Sequence, residues 1–418
     1  MHFICSIFGS AGDVFPLLGL SLELRRRGHT ITFATNEHFR TIVEKYGIEF
    51  EPLGTEEDYH ACIDNPNLWN PRRAFRHVFQ SLMPGLKRQY EIHVDRAKSG
   101  PTVGITNCFG FGALTAQDQL GIPVITVHLQ PAVLWSRYQP PALPGLFGPA
   151  WVKNFLYRTA ERFILDPTVC PFLNDWRREL GLRPIKQITK SWNSRSGILC
   201  MFPDWYAPKQ PDWPDNLTHS DFPLWNHLSD QPLDPELSDF LARGDAPIVF
   251  TPGSANVHGK GFFQTAVETC RKEGRRGILL SGFPDQIPAG LSASIHYARY
   301  APLDLLLPHA SLFVHHGGIG SMSQAMLAGT PQIIMPLAHD QFDNADRVRK
   351  LNVGGSLAAS RFSPSNLIPL VRNLIDNKSV HRTCQEVAGR LKQRDGLFRS
   401  AEIIERFIGV RNGSNPCC

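Results

Sequence analysis

Along its first 130 residues the chain alternates between short apolar runs and longer stretches in which apolar positions recur every three or four residues. His2–Phe8 reads as a buried strand, and from about Phe15 to Arg26 the leucines fall at helical spacing until Gly28 ends the segment. Thr30–Thr35 (TITFAT) reads as a second strand, Asn36 as the cap of a helix running to Tyr46, and Glu49–Leu53 as a third strand. TVGITN at 102–107, a helix near 111–120 and PVITVHL at 123–129 continue the series. Short strands separated by helices imply a parallel sheet covered on both faces.

From Asp204 the periodicity fails. Prolines at 208, 211, 214, 223, 232 and 235 interrupt it, and residues 214–235 read as an interdomain linker. The alternation then restarts with PIVFTPG at 247–253 and a helix over Phe262–Lys272. RGILLSG, IHYARYA, LFVHHGG and QIIMP supply further strands, with helices near 321–328, 342–350, 365–376 and 378–393. A chain of 418 residues exceeds what one core usually serves. The expected fold is therefore α/β, with two doubly wound, Rossmann-like domains over 1–213 and 236–393, facing each other across a ligand-binding cleft. A helix and tail over 394–418 are expected to pack back toward the first domain.

Composition narrows the function classes. Hydrophobic residues at 42% and charged residues at 19% suit a globular chain with a real core. The net charge of +5 is mild and gathered in no Lys/Arg block, so nucleic acid is not an expected partner. The 9 cysteines are odd in number and form no C-x-x-C pair, which argues against a disulfide framework or a cysteine zinc site and for a reducing compartment. Cys417–Cys418 makes no prenylation box. The apolar run at the start is too short for a signal peptide, and no stretch approaches the length of a membrane span. The expected location is cytoplasmic, with peripheral contact at the inner face of the membrane as an extension.

The densest chemistry is HHGGIGSMSQAMLAGTPQIIMPLAHDQFDNADRV at 315–348. A strand runs into Gly317, Gly318 and Gly320, and a helix is expected to open at Ser321. Glycines let the backbone approach a ligand, and a helix N-terminus favours an anion. His316 and the Ser321 hydroxyl are candidate donors to phosphate oxygens; a tight turn with a capping serine is the plain alternative. Before it, FGSAGDVFP at 8–16 uses Gly9, Ser10 and Gly12 to set Asp13 at the carboxyl end of the first strand. Asp13 suits either a general base or a helix N-cap.

Over His316, Gly318, Gly320 and Ser321, then Ala325, Gly329 and Pro331, then Pro336 and Asp340–Gln341, the chain resembles family 1 nucleotide-sugar glycosyltransferases of the GT-B fold. The resemblance extends over almost the whole chain. It implies that His316 and the 318–321 turn hold the donor diphosphate and that Asp340 and Gln341 bond the donor sugar hydroxyls. RYAPLDLLLPHA at 299–310 resembles the family's base-binding strand, with Tyr300 placed to stack on the nucleobase and backbone near Ala301 to read it; ordinary strand-edge packing is the other reading of Tyr300. Gly253–Ser254 resembles a second phosphate-contacting turn. Many members carry a glutamate where this chain has Gln324, and a neutral amide is a weaker acceptor for ribose hydroxyls. That relaxes selection for a 2′-hydroxyl and leans toward a deoxythymidine donor.

The G-D-x-x-P turn, with Ser10 and Gly12 on the acceptor side, resembles the sterol, lipid and antibiotic branch, in which the aspartate is the proposed base. SAGDVFP, DWP at 212–214, YAPL at 300–303 and AHDQFDNA at 338–345 most resemble bacterial rhamnosyltransferases that build rhamnolipids. These likenesses imply an inverting hexosyl transfer from dTDP-L-rhamnose to a hydroxyl of an apolar acceptor such as a hydroxy fatty acid. UDP-glucose transfer to sterols, polyketides or flavonoids is the alternative, and a catalytically silent sugar-nucleotide-binding partner protein is another of a different class. They also imply an acceptor domain at 1–213, a donor domain at 236–393, no cofactor beyond the nucleotide sugar and no metal. Segments 67–85 and 130–158 combine aromatic and basic residues that suit an acceptor pocket wall, a bilayer surface or simple core filling. Of the remaining histidines, His339 is near enough in sequence to the donor motif to merit a test.

Overall fold

The computed structural model describes residues 1–70, 73–143, 146, 148–225, 232–254 and 256–409. The chain divides into two compact units, Met1–Pro223 together with the segment from Asp395 onward, and Leu224–Arg394.

The first unit holds a parallel sheet of seven strands: β1 (His2–Ser6), β2 (Thr30–Asn36), β3 (Glu49–Gly54), β4 (Thr102–Thr106), β5 (Val124–His128), β6 (Gly197–Cys200) and β7 (Leu217–His219). Their order is β3-β2-β1-β4-β5-β6-β7. β1 lies between β2 and β4, with Phe3 flanked by Ile31 and Val103, and Phe3, Ile4 and Cys5 are fully buried. Central strands covered on both faces read as near-continuous apolar runs. The second unit repeats the winding with β8 (Ile248–Thr251), β9 (Gly277–Leu280), β10 (Ile295–Ala298), β11 (Leu312–His315), β12 (Gln332–Ile334) and β13 (Gly354–Ser356), in the order β10-β9-β8-β11-β12-β13. Each sheet reverses its direction of growth once, between β1 and β4 and between β8 and β11. At such a switch point the loops leaving the carboxyl ends diverge and open a crevice.

Several features depart from the sequence reading, which also lacks the helices Ala74–Lys98, Ala150–Ala160 and Asp166–Glu179. The first helix spans Ala11–Arg26 and opens four residues before Phe15, because Ser10 and Asp13 form a capping box. The expected linker over 214–235 contains β7, which pairs with β6 through Ile198↔Leu217 and closes one edge of the first sheet; residues 226–231 lie outside the described residues. The sequence reading lacks β6, although GILCMF at 197–202 is an apolar run of buried-strand type, and it lacks β7 and β13, each three residues long with little apolar periodicity around them.

The helix Gly396–Phe407 completes the first unit. A Cβ on Gly396 would lie 2.2 Å from the Phe222 carbonyl oxygen, so only glycine allows this approach. Arg27 donates two hydrogen bonds to Glu405 (2.9 and 2.6 Å), and His29 Nε2 lies 3.0 Å from the same carboxylate. All three side chains are nearly buried. Glu405→Ala is expected to cost about 3 kcal/mol in thermal or denaturant unfolding, because it strands a buried guanidinium whose other ion contact, to Glu23, is 3.7 Å long.

Candidate functional site

In the second unit the loops after β8 and β11 flank the switch point. The chain leaves β11 through His316 and Gly317, whose φ of +97° favours glycine, and Gly318 is the N-cap of the helix Ile319–Ala328. No side chain caps this helix, so its first-turn N–H groups keep the unpaired donors of a helix start. The helix therefore opens two residues before the expected Ser321, which sits in the first turn and is not the cap. A Cβ at Gly320 would meet nothing within 4 Å.

The His316 ring fits between two glycines. A Cβ on Gly253 would lie 2.8 Å from its Cε1, and one on Gly318 would lie 2.7 Å from its Nε2. Gly253 (φ +101°) thus brings the loop after β8, with exposed Ser254, against the imidazole. His316 Nδ1 is buried with no hydrogen-bond partner among the described residues, and so is Gln324 Oε1 in the helix that follows. Burial, and then the neighbouring His339, lower the His316 pKa to about 4. A pKa that low leaves the ring neutral at physiological pH, with one N–H to donate and one nitrogen to accept.

The residue before it, which sequence reasoning passed over, sets this turn. Buried His315 stacks on Phe313 at 4.4 Å, and its Nδ1 accepts from the Gly317 N–H at 3.1 Å. Its Nε2 must then carry the proton donated to Gln332 Oε1 at 2.9 Å. The His-His doublet was the signal: in a strand, neighbouring side chains point to opposite faces.

Asp340 is the N-cap of the helix Gln341–Lys350, and its Oδ2 accepts from Asn344 Nδ2 at 2.7 Å. The same amide donates to the Gly317 carbonyl at 2.9 Å, so Asn344 ties Asp340 to the His316 turn. Gln341 Oε1 accepts from the Leu337 and Ala338 N–H groups (2.7 and 3.0 Å) and holds a loop in which His339 adopts φ +56°. That oxygen is committed to the loop. Tyr300 lies beyond the end of β10 and is about half exposed, while Ala301 after it is buried.

In the first unit, Ser10 is the N-cap and Asp13 the reciprocal partner three residues on, which corrects the reading of Asp13 itself as the cap. Asp13 Oδ2 accepts from the Ser10 N–H at 3.0 Å and the Ser10 hydroxyl at 3.4 Å; the Gly12 N–H donates to Ser10 Oγ at 3.3 Å. A Cβ at Gly9 would lie 2.3 Å from Oδ2, so glycine there makes room for the carboxylate. Burial raises the Asp13 pKa to about 6, against the opposing pull of Ser10. Burial and then the charge of Asp13 push the nearby Cys108 thiol up to about 12. Asn107, also unnoticed in the sequence, donates to the Phe8 carbonyl and joins the loop after β4 to the loop after β1.

The aromatic segments divide. Phe79 is buried, and Phe75, Leu82 and Met83 pack against the same core cluster, so this part of 67–85 contributes to the core, while residues 71 and 72 lie outside the described residues. On the Ala150–Ala160 helix Tyr157 is buried against Trp135, whereas Trp151 and Phe155 are 73% and 68% exposed. A cavity of about 410 Å³ beside the Phe111–Leu120 helix includes no expected site residue. No helix among the described residues is long and apolar enough to cross a membrane.

Residues 3–133 match the glycosyltransferase family 28 N-terminal domain, and residues 285–397 match the erythromycin biosynthesis protein CIII-like C-terminal domain. The O-mycaminosyltylonolide 6-deoxyallosyltransferase of Streptomyces fradiae is 25% identical over 427 residues, covering 96% of each protein. The UDP-sugar-dependent glycosyltransferase 52 of Dictyostelium discoideum is 24% identical over 442 residues, 96% of this chain; the chain spans only 26% of that protein. Among solved structures, glycosyltransferase VinC in complex with dTDP superposes with a TM-score of 0.70 at 16% identity, covering 98% of this chain and 99% of the other.

Proposed function

Since the chain belongs to the family 1 glycosyltransferases of the GT-B fold and acts on nucleoside-diphosphate sugars, we propose that it moves L-rhamnose from a dTDP donor to a hydroxyl of an apolar acceptor such as a hydroxy fatty acid, with inversion. The observation that carries the donor half is the pair of unpartnered buried atoms, His316 Nδ1 and Gln324 Oε1, on either side of an uncapped helix start. Buried polar atoms are nearly always bonded, so two orphans in one turn and helix point to a ligand. The diphosphate is held by the N–H groups of the 318–321 turn, Ser321 and the neutral His316 ring. These are fixed dipoles aimed at the charge that develops on the leaving group.

Gln324 offers one neutral oxygen to the sugar of the nucleoside, which suits a donor without a 2′-hydroxyl. VinC, whose structure holds dTDP, is consistent with that preference. Tyr300 stacks on the base, Asp340 binds the donor sugar, and Gln341 contributes its amide N–H₂ because its oxygen is already engaged. Asp13 takes the proton from the acceptor hydroxyl as the anomeric carbon is attacked. Its Oδ1 bonds no described residue, and a pKa near 6 makes it a stronger base than an ordinary carboxylate while leaving it ionised at neutral pH. The step requires no metal. The exposed Trp151 and Phe155, with Lys153 and Arg158 on the same helix, suit contact with an anionic bilayer at the cytoplasmic face.

A thermal-shift panel of UDP, dTDP and GDP with their glucose and rhamnose conjugates tests this reading. The dTDP compounds are expected to raise Tm most, since a ligand bound only by the native state stabilises it in proportion to the logarithm of its saturation. Larger shifts with UDP-glucose would transfer the assignment to a glucosyltransferase, and no shift with any compound would end the diphosphate reading.

A further inference from the structure

His38, Glu56 and His60 form a compact group that the transfer reaction does not use. We propose that they bind a divalent transition-metal ion, of which Zn²⁺ is the representative. His38 lies in the short turn Glu37–Phe39 that follows β2, and Glu56 and His60 lie one turn apart on the helix Glu56–Ile63 that follows β3. Parallel pairing of β2 with β3 brings the two segments side by side at the carboxyl edge of the sheet. His38 Nδ1 is 3.5 Å from Glu56 Oε1, and His60 Nε2 is 3.8 Å from the same oxygen. All three ligand atoms fall within 4.8 Å of one another. Ligands at about 2.1 Å from a tetrahedral zinc are separated by about 3.4 Å, so small rotations of exposed side chains complete the geometry.

The group is held in place before any ion arrives. The His38 ring stacks on Tyr59 at 4.2 Å and 10°, and meets Phe39 edge-on at 5.0 Å. The helix start that carries Glu56 is set by a capping box between Thr55 and Asp58. The three side chains are 36%, 59% and 51% exposed, so solvent can deliver the ion and water can fill the remaining positions. Two imidazoles and one carboxylate favour zinc, nickel, cobalt or copper over magnesium or calcium, which prefer oxygen. An ion here ties the turn after β2 to the helix after β3 around Tyr59. It takes no part in the transfer step.

Calorimetric titration of Zn²⁺ into the full chain carrying Cys417→Ser and Cys418→Ser tests this, the two serines removing thiols that would add a second zinc site. One ion per chain is expected, with a micromolar Kd and a rise in Tm. His38→Ala and His60→Ala are each expected to weaken binding by at least about tenfold, and Glu56→Gln by severalfold. The double variant His38→Ala/His60→Ala is expected to lose the zinc-induced rise in Tm but to keep its turnover and a cooperative metal-free melting transition, lowered slightly by loss of the His38–Tyr59 stack, which separates loss of the site from failure to fold. Absence of saturable binding in the parent, or equal binding by the double variant, overturns the proposal.

Discussion

Asp13→Asn is expected to lower kcat by about a thousandfold while leaving the dTDP-induced thermal shift unchanged, because a general base contributes roughly 10²–10⁴ and this one lies in the unit that does not carry the donor motif. The variant keeps the acceptor oxygen that bonds Ser10, so the capping box survives. The pKa adds an independent signature. A base that must be ionised produces a rate that rises with pH and levels off above about 6, and the asparagine variant should lack that limb.

Stability moves in the opposite sense. A carboxyl whose folded pKa is raised above its unfolded value contributes stability below the unfolded pKa and loses that contribution as pH rises through about 6. At neutral pH Asp13 therefore costs the fold something, and the asparagine variant should melt no lower than the parent, with a gain of up to about 1–2 kcal/mol. Coupled measurement of dTDP release across pH, with melting curves at each point, checks both signs. Unchanged turnover in the variant would remove Asp13 from the mechanism.

His316→Ala is expected to reduce kcat/KM by about 10²–10³, the range found when one preorganised donor to a developing anion is removed. The informative partner is Gly320→Ala. Its new methyl group meets nothing within 4 Å beyond its chain neighbours and its own helix backbone, and alanine is the better helix former by up to about 1 kcal/mol. Folding should be unharmed. The methyl group nevertheless intrudes where a diphosphate must approach the backbone, so the donor KM should rise with Tm unchanged or higher. Gly253→Ala tests a different physical effect, since its Cβ would strike the His316 ring and its φ of +101° disfavours a side chain. If Gly320→Ala binds donor normally, the diphosphate does not sit on this turn.

How far the site could be read in advance depended on the range of the interactions involved. The spacing of His316, Gly318, Gly320 and Ser321 is local, and a strand running into glycines and a helix has few ways to fold, so the strand–turn–helix form of this segment is legible in the sequence. Its exact helix start is not, because Gly318 rather than Ser321 closes the turn. Asp13 stands out in the sequence as a candidate base, but its place as the inner half of a capping box depends on where the helix opens. Gln341 was read as a sugar ligand, and only the packed loop at 337–340 shows that its oxygen is occupied.

Periodicity and spacing, which the chain carries locally, determined the α/β class, the two windings, most of the strands and the list of residues able to hold a diphosphate. Strands of three or four residues such as β7 and β13 carry too little periodicity to be seen alone and exist because a neighbouring strand supplies their hydrogen bonds. The return of the last helix to β6, where Phe407 would lie 2.7 Å from a Cβ on Gly197, is likewise a contact across some two hundred residues. Protonation states belong wholly to this second class. The neutral His316, the elevated Asp13 and the tautomer of His315 follow from burial and from partners that folding alone assembles. The His38–Glu56–His60 group has the same origin, since no spacing rule links residue 38 to residues 56 and 60 until β2 and β3 lie side by side.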